Sequence, residues 1–231
     1  MDLHILSGGA AQGVVKALQE DFRARTGAGV QGTFGAVGMM KEKLLSGAPC
    51  DVLILTQALI DELETSGRVA PGSAAAMGRV KTGVAVKAGE ARPDVSSADG
   101  LRAALLAARG IYFPDPQKAT AGIHFINVVK KLGILADIEP ALRPFPNGAT
   151  AMAAMAQADE PGLLGCTQVT EILYTEGVTL VAALPVEFEL ATVYTAALSS
   201  RAEQPELARK LVAALSGDGS RALREQGGFE L

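Results

Sequence analysis

The sequence predicts an α/β protein built on mostly parallel sheet flanked by helices. Three short apolar runs lead to this prediction, because each is followed by a turn of small or polar residues and then by apolar residues at helical spacing. They begin at Leu3, Val30 and Cys50. Strands that alternate with helices in this way form parallel sheets. With 231 residues, 48% of them hydrophobic, the chain can fill one large core or two smaller ones.

The three units differ in detail. Leu3–Leu6 is a short strand that ends in the turn Ser7–Gln12, and Val30–Phe34 leads through glycines into the next helix. Cys50–Leu55 is a continuous apolar run, which is typical of a parallel strand buried on both faces, and it passes through Thr56–Gln57 into a third helix. Glycines after the first helix fit a helix end.

The rest of the chain continues the alternation with less regular spacing, and no low-complexity linker interrupts it. The further elements predicted are strands at Arg79–Val86, Gly110–Pro114, Gly162–Cys166 and Phe188–Leu198, and helices at Leu101–Ala108, Ile123–Leu132, Pro205–Leu215 and Ser220–Gln226, with an Ala/Met-rich helix opened by Pro146–Thr150.

Composition excludes several classes of function. The chain has 21 basic and 25 acidic residues, a formal charge of -4 and no dense basic cluster, so nucleic acid is not an expected partner. Aromatic residues are 4% and tryptophan is absent, which does not favour base or sugar stacking. No apolar run is long enough for membrane insertion. Cys50 and Cys166 lie in apolar runs and are expected to be reduced, buried thiols.

No metal site or cofactor is predicted, because motifs for metal hydrolysis, dithiol redox chemistry, nucleotide hydrolysis and serine esterases are absent from the sequence. The first residues, Met1–Leu6, lack the regions of a signal peptide. We therefore expect a cytoplasmic protein if Met1 is the natural start, and a periplasmic one if a signal peptide has been removed.

Small and polar residues follow the predicted strands at five junctions. The carboxyl ends of parallel strands meet at one edge of a sheet, where helix N-termini with unpaired N–H groups attract anions. The alternative is that the glycines only form turns and the Thr and Asn side chains only cap helices. The predicted ligand-binding residues are Gly9, Ala10, Ala11, Gln12, Ala36, Val37, Gly38, Thr56, Gln57, Thr120, Asn147, Thr150, Gln168 and Thr170.

Four segments together resemble periplasmic molybdate-binding proteins, in order and spacing over nearly the whole chain. Gly47–Val52 is the most specific of them, since it combines a helix stop, a turn and the start of a buried strand. The segments are Phe34–Gly38, Gly47–Val52, Asp115–Pro116 with Ala121–Gly122, and Ala191–Tyr194.

This resemblance implies a two-lobed type II periplasmic-binding-protein fold, in which each lobe is a mostly parallel sheet flanked by helices. It implies one lobe of residues 1–82 plus 193–231 and another of 83–192, a ligand in the cleft between them, and hinge motion at the two crossovers. We also expect a monomer, and an ABC transporter as partner if the protein is secreted.

The family's oxyanion ligands are not kept in this sequence. Its first-loop serine falls on Ala10, its second-loop serines fall around Ala36–Gly38, and its pocket tyrosine falls on Gln168. A tetrahedral oxyanion would lose hydrogen bonds here, each costing roughly 1 to 3 kcal/mol when unmade. A small organic anion, such as a mono-, di- or tricarboxylate, is therefore the preferred ligand.

Aconitate isomerase is similar to the same family, so the alternative prediction is an isomerase that moves a proton across an unsaturated polycarboxylate. Such a reaction needs a base and donors that stabilise the developing charge. His124 is the first candidate base, because it is expected in the first turn of a helix, where the dipole favours a neutral imidazole. Glu171 is the second candidate. A lone histidine on a helix can equally be a packed or surface residue.

Overall fold

Strands and helices alternate along the computed structural model, which describes residues 2–231. The α/β class predicted from the sequence is confirmed. The strands are β1 (Asp2–Gly8), β2 (Gly29–Gly35), β3 (Val52–Thr56), β4 (Ala75–Lys87), β5 (Gly110–Pro114), β6 (Leu142–Phe145), β7 (Leu163–Gln168), β8 (Val178–Ala183) and β9 (Ala191–Leu198). The helices are α1 (Gln12–Thr26), α2 (Val37–Leu45), α3 (Gln57–Thr65), α4 (Ala98–Ala107), α5 (Thr120–Lys131), α6 (Leu135–Ile138), α7 (Gly148–Gln157), α8 (Val169–Tyr174), α9 (Pro205–Ser216) and α10 (Arg221–Gln226).

The chain folds into two compact units. Unit 1 contains the residues up to Val80 together with Thr192–Leu231, and unit 2 contains Lys81–Ala191. The chain passes from unit 1 to unit 2 within β4 and returns at the start of β9.

The sheet of unit 1 has the strand order β2, β1, β3, β9. β1 is parallel to β2 and to β3, whereas β9 runs antiparallel to β3. β3 is buried over Val52–Leu55, as its continuous apolar run predicts. α1 packs its buried Val14, Val15 and Phe22 into the same core and ends at Gly27, whose φ of 74° only glycine adopts easily.

The sheet of unit 2 has the order β4, β7, β5, β6, and β8 pairs with the other side of β4. β5 is parallel to β6 and β7, and β4 is antiparallel to β7 and β8. Its largest core cluster packs Phe113 of β5 against Phe125 of α5, with ring centroids 5.0 Å apart. A smaller cluster places Met152 and Met155 of α7 against β7 and β5.

Two predictions about individual residues are resolved by the fold. Cys50 and Cys166 are free and buried, as expected, and burial raises the pKa of each thiol to about 12. The predicted strand Phe188–Leu198 is too long, because Val186–Phe188 forms a 3-10 turn and β9 begins only at Ala191.

None of the helices in residues 2–231 combines the length and apolar character that crossing a membrane needs.

Candidate functional site

In unit 1, three adjacent parallel strands end at one edge of the sheet. The register pairs Gly8 at the end of β1 with Gly35 at the end of β2, and pairs Ser7 with Ile54 of β3. All the ligand-binding residues that the sequence predicts in this unit lie at these strand ends or directly after them. These residues belong to Gly9–Gln12, Ala36–Gly38 and Thr56–Gln57.

Gly8 shows how closely these junctions approach each other. A Cβ atom on Gly8 would lie 2.8 Å from Cγ1 of Val37 and 3.1 Å from Cε1 of Tyr194. The start of α2 and the side of β9 therefore pack directly on the end of β1. A larger residue at this position would push them apart.

The helices α1, α2 and α3 begin at this edge without side-chain caps. Their N-cap residues are Ala11, Ala36 and Thr56, and none of these side chains accepts a hydrogen bond from its helix. At α2 and α3 the first N–H groups lack an intrahelical acceptor, so an anion or a polar ligand can bind them. At α1 the N–H of Gln12 donates to the carbonyl of Gly9 in a preceding 3-10 turn. Gln57 is held by protein groups: its Nε2 donates to Oδ1 of Asp61 at 2.7 Å, and its Oε1 accepts from Oγ1 of Thr195 at 2.5 Å.

Unit 2 has an equivalent edge formed by β7, β5 and β6. β5 pairs with β7 through Tyr112 and Gly165, and with β6 through Pro114 and Phe145. The residues that the sequence predicts for this unit lie at or after the three strand ends. Thr120 begins α5 after β5, Asn147 and Thr150 follow β6, Gln168 is the last residue of β7, and Thr170 follows it.

Asn147 and Thr150 have a structural role at this edge. Oδ1 of Asn147 accepts hydrogen bonds from the backbone N–H of Thr150 at 2.9 Å and from its hydroxyl at 3.0 Å. Asn147 is therefore the N-cap of α7. Helix capping is the alternative role that the sequence allows for Asn and Thr side chains at these junctions. A role in ligand binding stays a prediction for both.

Glu171 is a buried carboxyl group among these junctions. It is 4% exposed, and its Oε2 accepts a hydrogen bond from Oγ1 of Thr167 at 2.5 Å. Burial raises its pKa to about 7, although hydrogen bonds from Thr167 and from the backbone N–H groups of Ala149 and Gln168 favour the ionised form. A carboxyl group with this pKa can exchange a proton near neutral pH.

Gly148 makes room for this carboxyl group. A Cβ atom at Gly148 would lie 2.0 Å from both Oε2 of Glu171 and Oγ1 of Thr167. The first turn of α7 thus rests directly on the junction between β7 and α8. Only glycine allows this contact without displacing the buried acid.

Two buried hydroxyl groups lie at the same end of β7. Oγ1 of Thr82 and Oγ1 of Thr170 are buried, and neither has a hydrogen-bond partner among residues 2–231. Thr82 of β4 is paired with Gln168 of β7, so these two side chains are on the same face of the sheet. Buried polar groups almost always have a partner, so these hydroxyls are suited to a ligand. Thr82 and Thr167 are ordinary strand residues in the sequence, so no local pattern marks either of them as a site residue.

His124 lies further along its helix than the sequence suggested. It is the fifth residue of α5, so the prediction that it lies in the first turn is wrong. Its Nε2 is 2.7 Å from the backbone O of Phe188. Because a carbonyl oxygen only accepts, Nε2 carries a proton, and Nδ1 is the atom that could accept one. His124 and Glu171 thus have different hydrogen-bond partners.

Within the described part of the chain, no cluster of His, Cys, Asp and Glu is arranged to hold a metal ion.

Comparison with known proteins supports the same kind of fold. The model of a family described as bacterial extracellular solute-binding protein matches residues 3–230. An aconitate isomerase from Pseudomonas sp. is 26% identical over 240 residues, which cover 97% of this chain and 86% of that protein.

Two solved structures illustrate the fold. The periplasmic molybdate-binding protein of Azotobacter vinelandii superposes with a TM-score of 0.81 at 20% identity, covering 99% of each chain. The sulfate-binding protein of Mycobacterium tuberculosis H37Rv gives a TM-score of 0.75 at 15% identity, covering 99% of this chain and 86% of that one. The resemblance to molybdate-binding proteins is therefore confirmed, and the fold is that of periplasmic binding proteins.

Proposed function

Because the chain belongs to the family of bacterial extracellular solute-binding proteins, we propose that it binds a small carboxylate at the carboxyl ends of its parallel strands. The observation that carries this proposal is the pair of buried hydroxyl groups of Thr82 and Thr170, which have no partner among residues 2–231. They lie beside Gln168 and Glu171 at the end of β7. Hydroxyl, amide and carboxyl groups together offer both donors and acceptors to an organic acid.

An organic acid fits these residues better than a tetrahedral oxyanion. Ala10 and Ala36 are buried at the strand ends of unit 1, and their methyl groups donate no hydrogen bond. In unit 2, Glu171 brings a negative charge when ionised, which opposes a compact dianion at short range. A carboxylate can accept from the hydroxyls and from a protonated Glu171.

The proposed ligand-binding residues keep the full set from the sequence, extended by Thr82. The protein is proposed to act outside the cytoplasm, which the description of its family as extracellular supports, and to deliver its ligand there to an ABC transporter. The proposed set is Gly9, Ala10, Ala11, Gln12, Ala36, Val37, Gly38, Thr56, Gln57, Thr82, Thr120, Asn147, Thr150, Gln168 and Thr170.

A second candidate function is proton-transfer isomerisation of an unsaturated polycarboxylate. Similarity to an aconitate isomerase over 97% of the chain supports it, together with the pKa of Glu171 near 7. In that reaction Glu171 would be the base, since its carboxyl group lies among the site hydroxyls. His124 is the second candidate, through Nδ1.

The test is a thermal-shift and calorimetry panel of molybdate, sulfate, succinate, citrate and trans-aconitate with the full chain. A specific ligand at about 100 times its dissociation constant adds about 2.7 kcal/mol to the free energy of unfolding. We expect a carboxylate to stabilise the protein and the oxyanions to have no effect. Stabilisation by molybdate alone would contradict the proposal. NMR spectra of bound trans-aconitate over time distinguish the functions, because conversion to the cis isomer reports catalysis.

A further inference from the structure

Unit 1 contains a cavity of about 210 Å³ at the amino-terminal ends of its parallel strands. It is lined by residues near the start of β1, by the end of α2 and the loop before β3, by Arg68 just beyond α3, and by the segment after β9. This edge is opposite the strand ends of the same unit at which we propose ligand binding. The polar side chains that matter most in its lining are those of His4, Asp51, Arg68, Arg201 and Glu203.

Backbone hydrogen bonds fix the walls of the cavity. The N–H of Ser200 donates to the carbonyl of Arg68 at 3.0 Å, and the N–H of Ser199 donates to the carbonyl of Asp51 at 2.9 Å. Val69 and Ser199 form an antiparallel bridge. The two arginines therefore extend from neighbouring backbone segments that are tied together.

The positive charges of the lining have no direct counter-charge. Neither guanidinium group, of Arg68 or of Arg201, has an ion-pair or hydrogen-bond partner anywhere in 2–231. The buried acid of the lining, Asp51, is already occupied, because it accepts from the backbone N–H groups of His4 at 2.8 Å, Glu203 at 2.9 Å and Gln204 at 3.3 Å. Two arginines without partners in the lining of one cavity favour an anion with several oxygen atoms.

Glu203 restricts which anion can bind. This exposed residue also lines the cavity, and its carboxylate has no side-chain partner in the part of the chain described. A fully deprotonated anion would be repelled by it, whereas an anion that keeps a hydroxyl group can donate a hydrogen bond to it. We propose that this cavity is a second ligand site, in which Arg68 and Arg201 bind the oxygen atoms of a small hydroxylated oxyanion such as hydrogen phosphate, and Glu203 accepts its hydroxyl proton.

The experiment compares phosphate with sulfate in calorimetric titrations of the full chain at neutral pH, where phosphate keeps a proton and sulfate does not. We expect phosphate to bind about tenfold or more tightly than sulfate. The double variant R68Q/R201Q should bind phosphate with an affinity about tenfold or more lower than that of the unaltered protein. The variant E203Q should remove the preference for phosphate over sulfate. The matched control is R92Q/R102Q, which changes the net charge equally at two exposed arginines of unit 2.

Amide NMR spectra locate the site without any variant. Phosphate should shift the amides of Ser199–Glu203 and those of Cys50 and Asp51 in the unaltered protein. The amides of Gln168–Glu171 report separately on the strand-end site. Equal loss of binding in both double variants, tighter binding of sulfate, or shifts confined to Gln168–Glu171 would each overturn the proposal. The last of these outcomes would leave the carboxylate site intact, so the two proposals can fail independently.

Discussion

Replacing Thr82 by Val should make the ligand-free protein more stable. The Thr82 hydroxyl is buried, with the residue 1% exposed, and has no hydrogen-bond partner in the described chain. Leaving such a group unpaired costs about 1 to 3 kcal/mol. Valine has the same shape without the hydroxyl and is a good strand residue. We therefore expect the free energy of unfolding to rise by about 1 kcal/mol or more.

Thr195→Val is the matched control for this prediction. Thr195 is also a strand threonine and 1% exposed, but its hydroxyl donates to Oε1 of Gln57 at 2.5 Å. Removing it leaves a lone acceptor, so we expect the free energy of unfolding to fall by about 1 kcal/mol. Urea unfolding followed by circular dichroism, with no added ligand, measures both changes.

Thr82→Val should also weaken binding of the carboxylate found in the ligand panel, because that ligand is proposed to use the Thr82 hydroxyl. A lost hydrogen bond of about 1.4 kcal/mol weakens binding about tenfold. Stability and affinity thus change in opposite directions. If Thr82→Val lowers stability as much as Thr195→Val does, or leaves affinity unchanged, the hydroxyl is not reserved for a ligand and the reasoning fails.

Three further predictions concern unit 2. Gly148→Ala should lower the free energy of unfolding by about 2 kcal/mol or more, since the new Cβ would lie 2.0 Å from side-chain oxygens of Glu171 and Thr167. The control is Gly219→Ala, where a Cβ meets open space and the free energy of unfolding should change by less than about 0.5 kcal/mol. Glu171 has a pKa of about 7 in the folded protein against an ordinary value of 4.5, so the free energy of unfolding should fall by about 3 kcal/mol as the pH rises from 4.5 to 7. Glu171→Gln should remove this pH dependence, which urea unfolding at several pH values measures. If the protein is an isomerase, turnover of trans-aconitate measured by NMR should be the same in the His124→Ala variant as in the unaltered protein. Loss of turnover in this variant would make His124 the base instead of Glu171.

The sequence predicted the strands that carry a clear apolar signal and missed two weak ones. β6 has only four residues and contains Pro144, which a strand tolerates at a sheet edge, and β6 is the edge strand of unit 2. β8 is half-buried along its whole length, so it lacks the alternation of inward and outward residues. Both strands depend on neighbours that are distant in the sequence.

The sequence predicts the loops of the proposed site but not the individual contacts within it. Strand–turn–helix junctions are local patterns, and the structure gathers three of them at one edge in each unit. The role of Thr82 depends on its pairing with Gln168 from a distant strand, which no local pattern reveals. The position of Glu171 after β7 is visible in the sequence, whereas its burial depends on α7, which packs over it through Gly148.

Binding of a carboxylate beside Glu171 should be coupled to uptake of a proton. The negative charge of the ligand disfavours the ionised form of Glu171, and burial already raises its pKa to about 7. Affinity should therefore be highest below pH 7 and fall as the pH rises through about 7, because the ionised acid repels the ligand. Calorimetry in buffers of different ionisation enthalpy should show net proton uptake at neutral pH. The Glu171→Gln variant should bind with an affinity that does not change over this range, and a wild-type affinity that is equally constant would place the ligand away from Glu171.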